Sequence, residues 1–377
     1  LTQAASLNDT LEVVAYDIAS MSDMSASNGG TFQADVTFAD GADIITASAG
    51  TDNVRLGEDA GASIASGGNQ NVLIGKDAGT AITTGDDNVA VGYQALDANT
   101  TGGNSVAVGS NALGAQTTGD RNIAIGSTAG AAITTGQGSI AIGHQALASA
   151  TTGDDNIAIG ADSPTVNAAL EANTTGVQNV AIGGGALAAN TTADKNTALG
   201  FQSLGKNTTA NNNTAVGFQA LYDNTTGAQN VAVGMFALPN NTSAAYNTAV
   251  GYGAMEANTT GASNTAIGGS ALYSATTASN NTAVGVEAME NTTVGYENVA
   301  VGYKALEANV DGRHAVALGV EALKLQEPSS ASSTYNTAVG PYCGAAITTG
   351  IQNSLVGAFA GDALQACSDN VAVGYSA

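Results

Sequence analysis

Asn213–Gln229 reads NTAVGFQALYDNTTGAQ, and most of the chain is that stretch repeated. An Asn is followed by a small β-former, an Ala, a branched aliphatic residue and a Gly. Two variable residues, Ala-Leu and a polar turn close to Asn-Thr-Thr-Gly complete the unit. Seventeen residues on, at Asn230, it begins again as NVAVGMFALPNNTSAAY. Repetition at a fixed period marks units that stack on one another, and it decides the fold before any local propensity does.

The register extends in both directions. The Asn slot recurs nineteen times between Asn53 and Asn370, with Ser105, Ser139 and Ala315 as its replacements. The Gly slot is Gly in every unit, from Gly57 to Gly374, and the residue before it is always Val, Ile or Leu. Extra residues enter at three places only.

Each unit predicts one coil of an all-β parallel solenoid. Thr214-Ala215-Val216 forms a short strand, and Gly217 allows a sharp turn where a Cβ would clash. Gln219 to Tyr222 is expected to form a second strand, and Asn224-Thr225-Thr226-Gly227 closes the coil with turn residues. A single coil this thin cannot stand alone, and neighbouring coils must supply its hydrogen bonds. Within the first strand, Thr214 and Val216 point one way and Ala215 the other. The Ala slot is small throughout the array, except at Arg55, Leu73 and Leu355. One strand face fills the interior, and the other leaves an apolar strip that calls for a partner. A second copy of the chain wound about a common axis is the simplest one.

Three regions precede or make up this array. In residues 1–30, Leu7, Leu11, Val14, Ile18 and Met21 follow a heptad seam, which suits a short coiled-coil neck, and a Ser/Asn/Gly-rich linker follows. Residues 31–52 lead into the array, with Phe32, Ala34, Val36 and Phe38 alternating with Gln33, Asp35 and Thr37. Residues 53–377 are the repeat shaft.

Composition narrows the function. Of 377 residues none is Trp, charged residues are 10%, and eight Lys plus Arg leave a formal net charge of -23. Nucleic-acid binding needs a basic stripe, and the chain offers none. An anionic membrane surface is disfavoured for the same reason, and no apolar run suits membrane insertion.

NTAVGFQAL, NVAVGYQAL and NIAIGSTAG resemble the [Asn/Ser]-x-Ala-[Val/Ile]-Gly repeats of YadA-type trimeric adhesin heads. The resemblance covers about Asn53 to Ala377. It implies a left-handed parallel β-roll assembled as a homotrimer, with the first strand of each coil facing the axis. On that reading Ala90, Val91, Gly92, Ala215, Val216, Gly217, Ala249, Val250 and Gly251 sample the repeat at the core and the trimer axis. The coil here is longer than in the bacterial heads. FADGADIITASAGTDNVRLGEDAG and the NVLIGKDAGTAITTGDDNVAVGYQAL that follows are similar to fibre proteins of tailed bacteriophages, particularly those infecting marine cyanobacteria. The chain as it stands carries neither the β-barrel anchor nor the long stalk of an autotransporter, which favours a virion fibre over a bacterial surface head. The implied role is host attachment through a cell-surface glycan or protein. The repeat stops in mid-coil after Gly374, so other fibre or baseplate proteins are expected at the ends. A self-polymerising extracellular filament is the third reading.

Chemistry has little support. His144 and His314 each stand alone in the sequence and read as surface positions rather than metal ligands. Asp86-Asp87 and Asp154-Asp155 could hold a cation between coils, but solvated turns explain them better. Cys343 takes a small-residue slot and Cys367 the turn-Gly slot, on different sides of the coil, so no disulfide is expected. The Asn-Thr-Thr sequons read as periodic turns. An ice-binding Thr array is disfavoured because adjacent strand residues face opposite ways. No catalytic set, metal site or cofactor motif is present, so a non-enzyme is expected. The breaks in the period carry the candidate surface-binding loops: Asp162, Ser163, Pro164 and Thr165 in the first, and Gln326, Glu327, Pro328 and Ser329 in the second.

Overall fold

The computed structural model describes residues 49–328 and 332–377. The expected neck and most of the lead-in segment, residues 1–48, lie outside the described residues. Nineteen three-residue strands follow at the predicted positions, β1 at Val54–Leu56, β10 at Thr214–Val216 and β19 at Val371–Val373 among them. Each pairs in parallel with its neighbour in sequence, slot against slot. Thr214 lies beside Val231, Ala215 beside Ala232 and Val216 beside Val233, and the same register holds from β1 to β19. The chain is thus a parallel β-solenoid in which one coil makes one rung.

The expected second strand is not there. Gln219 to Tyr222 forms turns, in which Gln219 (φ 51°) and Leu221 (φ 52°) are left-handed and Ala220 between them is not. The alternation points the Gln219 and Leu221 amides to opposite neighbouring coils, while the Ala220 N–H between them donates to Gly217 O within the coil. The Gln219 N–H donates to Phe201 O in the preceding coil, and the Leu221 N–H to Ala237 O in the following one, both at 3.0 Å. It also turns Ala220 and Leu221 inward together, each with no exposed surface. A strand would have sent one of them outward.

The interior has one layer from each side. Ala90, Ala215 and Ala249 are fully buried and meet the Leu slot across the coil, whereas Val91, Val216 and Val250 face outward and are half-buried. The three exceptions in the Ala slot show how little room there is. Leu73 is fully buried. The Leu slots it faces hold Gly61 and Gly79, where a Cβ would stand 2.6 and 2.8 Å from its side chain. Leu355 repeats the arrangement with Gly344 and Gly361 at 2.9 and 3.0 Å. Arg55, opposite Gly61, lies half-buried and turns its Nε to Ala60 O at 2.6 Å.

Polar ladders run beside this apolar layer. Asn213 receives the Asn230 N–H on its Oδ1 at 2.9 Å and gives its own Nδ2 to Gly227 O at 2.9 Å. Its backbone N–H goes to Asn196 Oδ1 at 2.9 Å, so each rung hands the pattern to the next. Where the Asn slot holds Ser105, the turn-Asn slot of that coil holds Gln116, whose longer side chain reaches Ser105 Oγ at 3.1 Å and accepts from Asn122 Nδ2 at 2.9 Å. Gln326 does the same for the coil of Ala315, accepting from Asn336 Nδ2 at 2.7 Å.

A second ladder joins Asn173, Asn190, Asn207, Asn224, Asn241 and Asn258, with each Nδ2 donating to the Oδ1 one coil back at 2.8–3.2 Å. It stops at Ala275, and Asn258 Oδ1 has no hydrogen-bond partner among the described residues. Ala275→Asn places a donor where Asn258 stands relative to Asn241. A hydrogen bond to a buried, unsatisfied acceptor is worth about 1 kcal/mol. The variant is therefore expected to raise the urea midpoint, and an unchanged or lower midpoint would show that the ladder contributes nothing there.

Candidate functional surface

The outer face of the strands forms a continuous apolar strip. The slot after the inward Ala is Val, Ile or Leu in every strand, and the slot before it holds Val or Ile, Thr in six strands, or Ser354, each stacked directly on its counterparts above and below. Val301 and Ile125 remain 39% and 42% exposed despite that stacking, so their remaining surface points away from the coil. The slot after the Gly adds Tyr93, Phe201, Phe218, Met235, Tyr252 and Tyr303, all exposed. Phe201 and Phe218 stack at 5.6 Å. Eighteen steps between the nineteen strands, at about 4.8 Å each, run about 86 Å. Two outward slots along a strand span about 7 Å. The strip therefore covers on the order of 600 Å², the upper end for the largest patch on a typical monomer, before the aromatic slot is counted.

The Gly slot sets the edge of that strip. Gly92, Gly217 and Gly251 have φ of 135–137°, and a Cβ on any of them would meet the Gly carbonyl oxygen of the next coil at 2.5–2.6 Å. The nine repeat residues singled out in the sequence thus divide into three duties: Ala in the interior, Val on the outer strip, and Gly at the turn.

The two insertions differ. Ser163, Pro164 and Thr165 are exposed in a small loop closed by the Ser163 N–H to Val166 O bond of 2.7 Å, and Asp162 pairs with His144 Nδ1. The second begins inside. Gln326, expected on a surface loop, is fully buried because it serves the Asn ladder, and Pro328 is also buried. Glu327 accepts the Val310 N–H at 2.7 Å, and burial pushes its carboxyl above the usual carboxylate range. Ser329 lies outside the described residues.

Stacking supplies partners that the linear sequence hides. His144 meets an acid eighteen residues away, and His314 Nε2 reaches Glu297, one coil back, at 2.8 Å. The His314 ring lies parallel to Tyr335 at 5.2 Å, and its Nδ1 meets Ser333 Oγ at 2.9 Å. The signal that could have found the Glu297 contact is an interval of one coil length. Glu287, Glu290 and Glu307 also come together. Lys304 stands among them, 2.9 Å from Glu287 and 2.8 Å from Glu307, where its ammonium supplies the countercharge. Burial, reinforced by Glu287 and Glu307, raises the Glu290 carboxyl above its ordinary value.

The remaining candidates serve the coil. Asp86 and Asp154 accept the N–H groups of Asn69 and Gln137 one coil back, at 2.6 and 2.8 Å. The Asn of the Asn-Thr-Thr turns points inward, as fully buried Asn224 shows. The paired Thr residues lie in turns and not in a strand, which removes the sequence-based ground against a Thr file. Thr225 Oγ1 donates to Thr242 O at 2.9 Å, while Thr226 is exposed. Cys343 and Cys367 are both free, Cys343 buried and Cys367 exposed. Burial pushes the Cys343 thiol up.

These features define the class: a parallel β-solenoid repeat protein with a polar-laddered interior and one long apolar face. No family model matches the chain, and no curated protein or solved structure does either.

Proposed function

We propose that the array is the shaft of a homotrimeric virion fibre that projects toward a host cell and helps attach to it. Three left-handed β-rolls meet along their strand faces, and the shaft works by reach and display without catalysis. The observation that carries the reading is the outer file of Val, Ile and Leu before the Gly slot, unbroken over the nineteen strands, with aromatic residues beside it at Tyr93, Phe201, Phe218, Tyr252 and Tyr303. An apolar face of that length on a chain of net charge -23 needs a dry partner, and a copy in identical register matches it rung for rung. The resemblance of the two stretches within residues 38–96 to phage fibre proteins supports the virion setting.

Sedimentation equilibrium tests the assembly. The expected mass is three times the 36.7 kDa chain, and a monodisperse monomer would overturn the trimer. Val250→Asp with Val284→Asp puts two carboxylates on the outer strip, with the interior alanines Ala249 and Ala283 untouched. An unpaired buried charge costs several kcal/mol. The double variant is expected to lose the trimer, and a trimer of undiminished stability would place the interface elsewhere. Antibodies against the array should decorate virions at fibres, and excess array should compete with phage for host cells. Labelling of a bacterial envelope instead would favour the surface-adhesin reading, and endless filaments without particles the structural one.

A further inference from the structure

The aromatic and polar groove at the Tyr342 coil departs from the periodic pattern. In the reference coil the two positions after Leu221 are Tyr222 and Asp223, which fill the surface there. In the Tyr342 coil the matching positions are Ala345 and Ala346, and the slot held by Gln219 elsewhere is aromatic in two successive coils, Tyr342 and Phe359. Large residues in one file and small ones in the next leave a groove of about 340 Å³. Tyr342 and Phe359 stack at 5.0 Å with planes 7° apart and form its wall, and Ala345 and Ala346 line it beside them. Glu321, Lys324 and Asp362 also border it, with Lys324 held 3.2 Å from Glu321.

We propose that this groove is a subsite for a neutral saccharide. The groove is shallow and open, so its volume is an upper bound on what it encloses, and it suits one or two sugar rings lying along the surface. Stacked rings and alanine methyls offer an apolar surface to the C–H face of a pyranose. Two carboxylates accept from its hydroxyls, and the ammonium donates to them. Two acids against one lysine, on a chain of net charge -23, disfavour uronic or sialic acids and leave uncharged hexoses and N-acetylhexosamines. The groove lies across the thin interior from the strand face, so it stays open when copies meet along their strands. The proposal rests on the adhesive reading and gives it a ligand class and a place.

Saturation-transfer NMR on the assembled full chain tests it, with maltotriose, cellotriose and triacetylchitotriose as probes. Transfer to at least one is expected, centred on ring C–H protons. Ala345→Tyr with Ala346→Asp restores the reference surface and fills the groove with residues that the coil already accepts at those slots. It is expected to weaken binding at least about tenfold, equivalent to about 1.4 kcal/mol. Phe359→Ala, which removes half the wall, is expected to weaken it as well. No transfer from any of the three sugars, or equal transfer to the filled variant, would overturn the subsite. Adsorption of the unaltered array to host cells is scored separately. If the array adsorbs while the sugars fail, the groove is wrong and adhesion stands, whereas sugar binding without adsorption would support the groove and remove its proposed role.

Discussion

Gly217→Val is expected to cost more than about 4 kcal/mol and to split the array at that rung. Two penalties coincide there. The native φ of 136° belongs to a region that only Gly enters readily, and a β-branched residue pays most for it. The new Cβ would also stand 2.5 Å from Gly234 O and 2.7 Å from its carbonyl carbon, both backbone atoms of the next coil. Neither can move without opening the rung spacing, and a solenoid transmits stability only between neighbours. Urea unfolding should show a lower midpoint with a second transition, and limited proteolysis should cut near residue 217. Gln219→Ala is the control. It removes the 2.8 Å hydrogen bond to Gln202 and leaves the interior intact, so a change within about 1 kcal/mol is expected. Equal stability of the two variants would contradict the coil geometry.

The second large effect is a conditional one. Leu147→Gly is expected to destabilise by about 3 kcal/mol, since losing a buried Leu costs roughly 2–5 kcal/mol and releasing a left-handed Leu returns about 1. Leu147 is fully buried with φ 54°. Ala150→Ile alone overpacks the coil and should cost roughly 1–3 kcal/mol. Together they should restore parent stability to within about 1 kcal/mol, because they give this coil the Gly and Ile that the coil before it carries in the same two slots. There Gly130 has φ 57°, and Ile133 fills the space a Leu would take, its Cδ1 3.1 Å from where the glycine's Cβ would be. A double-mutant cycle with no coupling would show that the two slots do not share one volume.

Some of this arrangement could be read directly. Nineteen units that keep the Gly slot, most of them reading Asn-x-Ala-x-Gly in full, settled the period, the short strand and the turn at Gly217. The candidate loop at Ser163–Thr165 could be read as an insertion against that period. Ala220-Leu221 misled, since an apolar pair beside a turn suits a strand end as well as a left-handed turn, and only backbone conformation separates the two. Gln326 misled because an inserted segment looks like surface. Its buried role depends on Ala315, eleven residues earlier, having lost an Asn side chain. The partners of His144 and His314 and the Tyr342 groove were hidden because they unite residues about a coil apart, which are neighbours only after stacking.

What the chain determined by itself was rhythm: where each rung starts, where it turns, and that Ala and its flanking aliphatics lie on opposite strand faces. Alternation does not say which of those faces looks inward. The tertiary structure decided that by volume. Leu and two Asn files from the rest of the coil already fill the space between its walls, so the strand contributes only a methyl group, and a larger residue such as Leu73 enters only where Gly61 and Gly79 have vacated the opposite side.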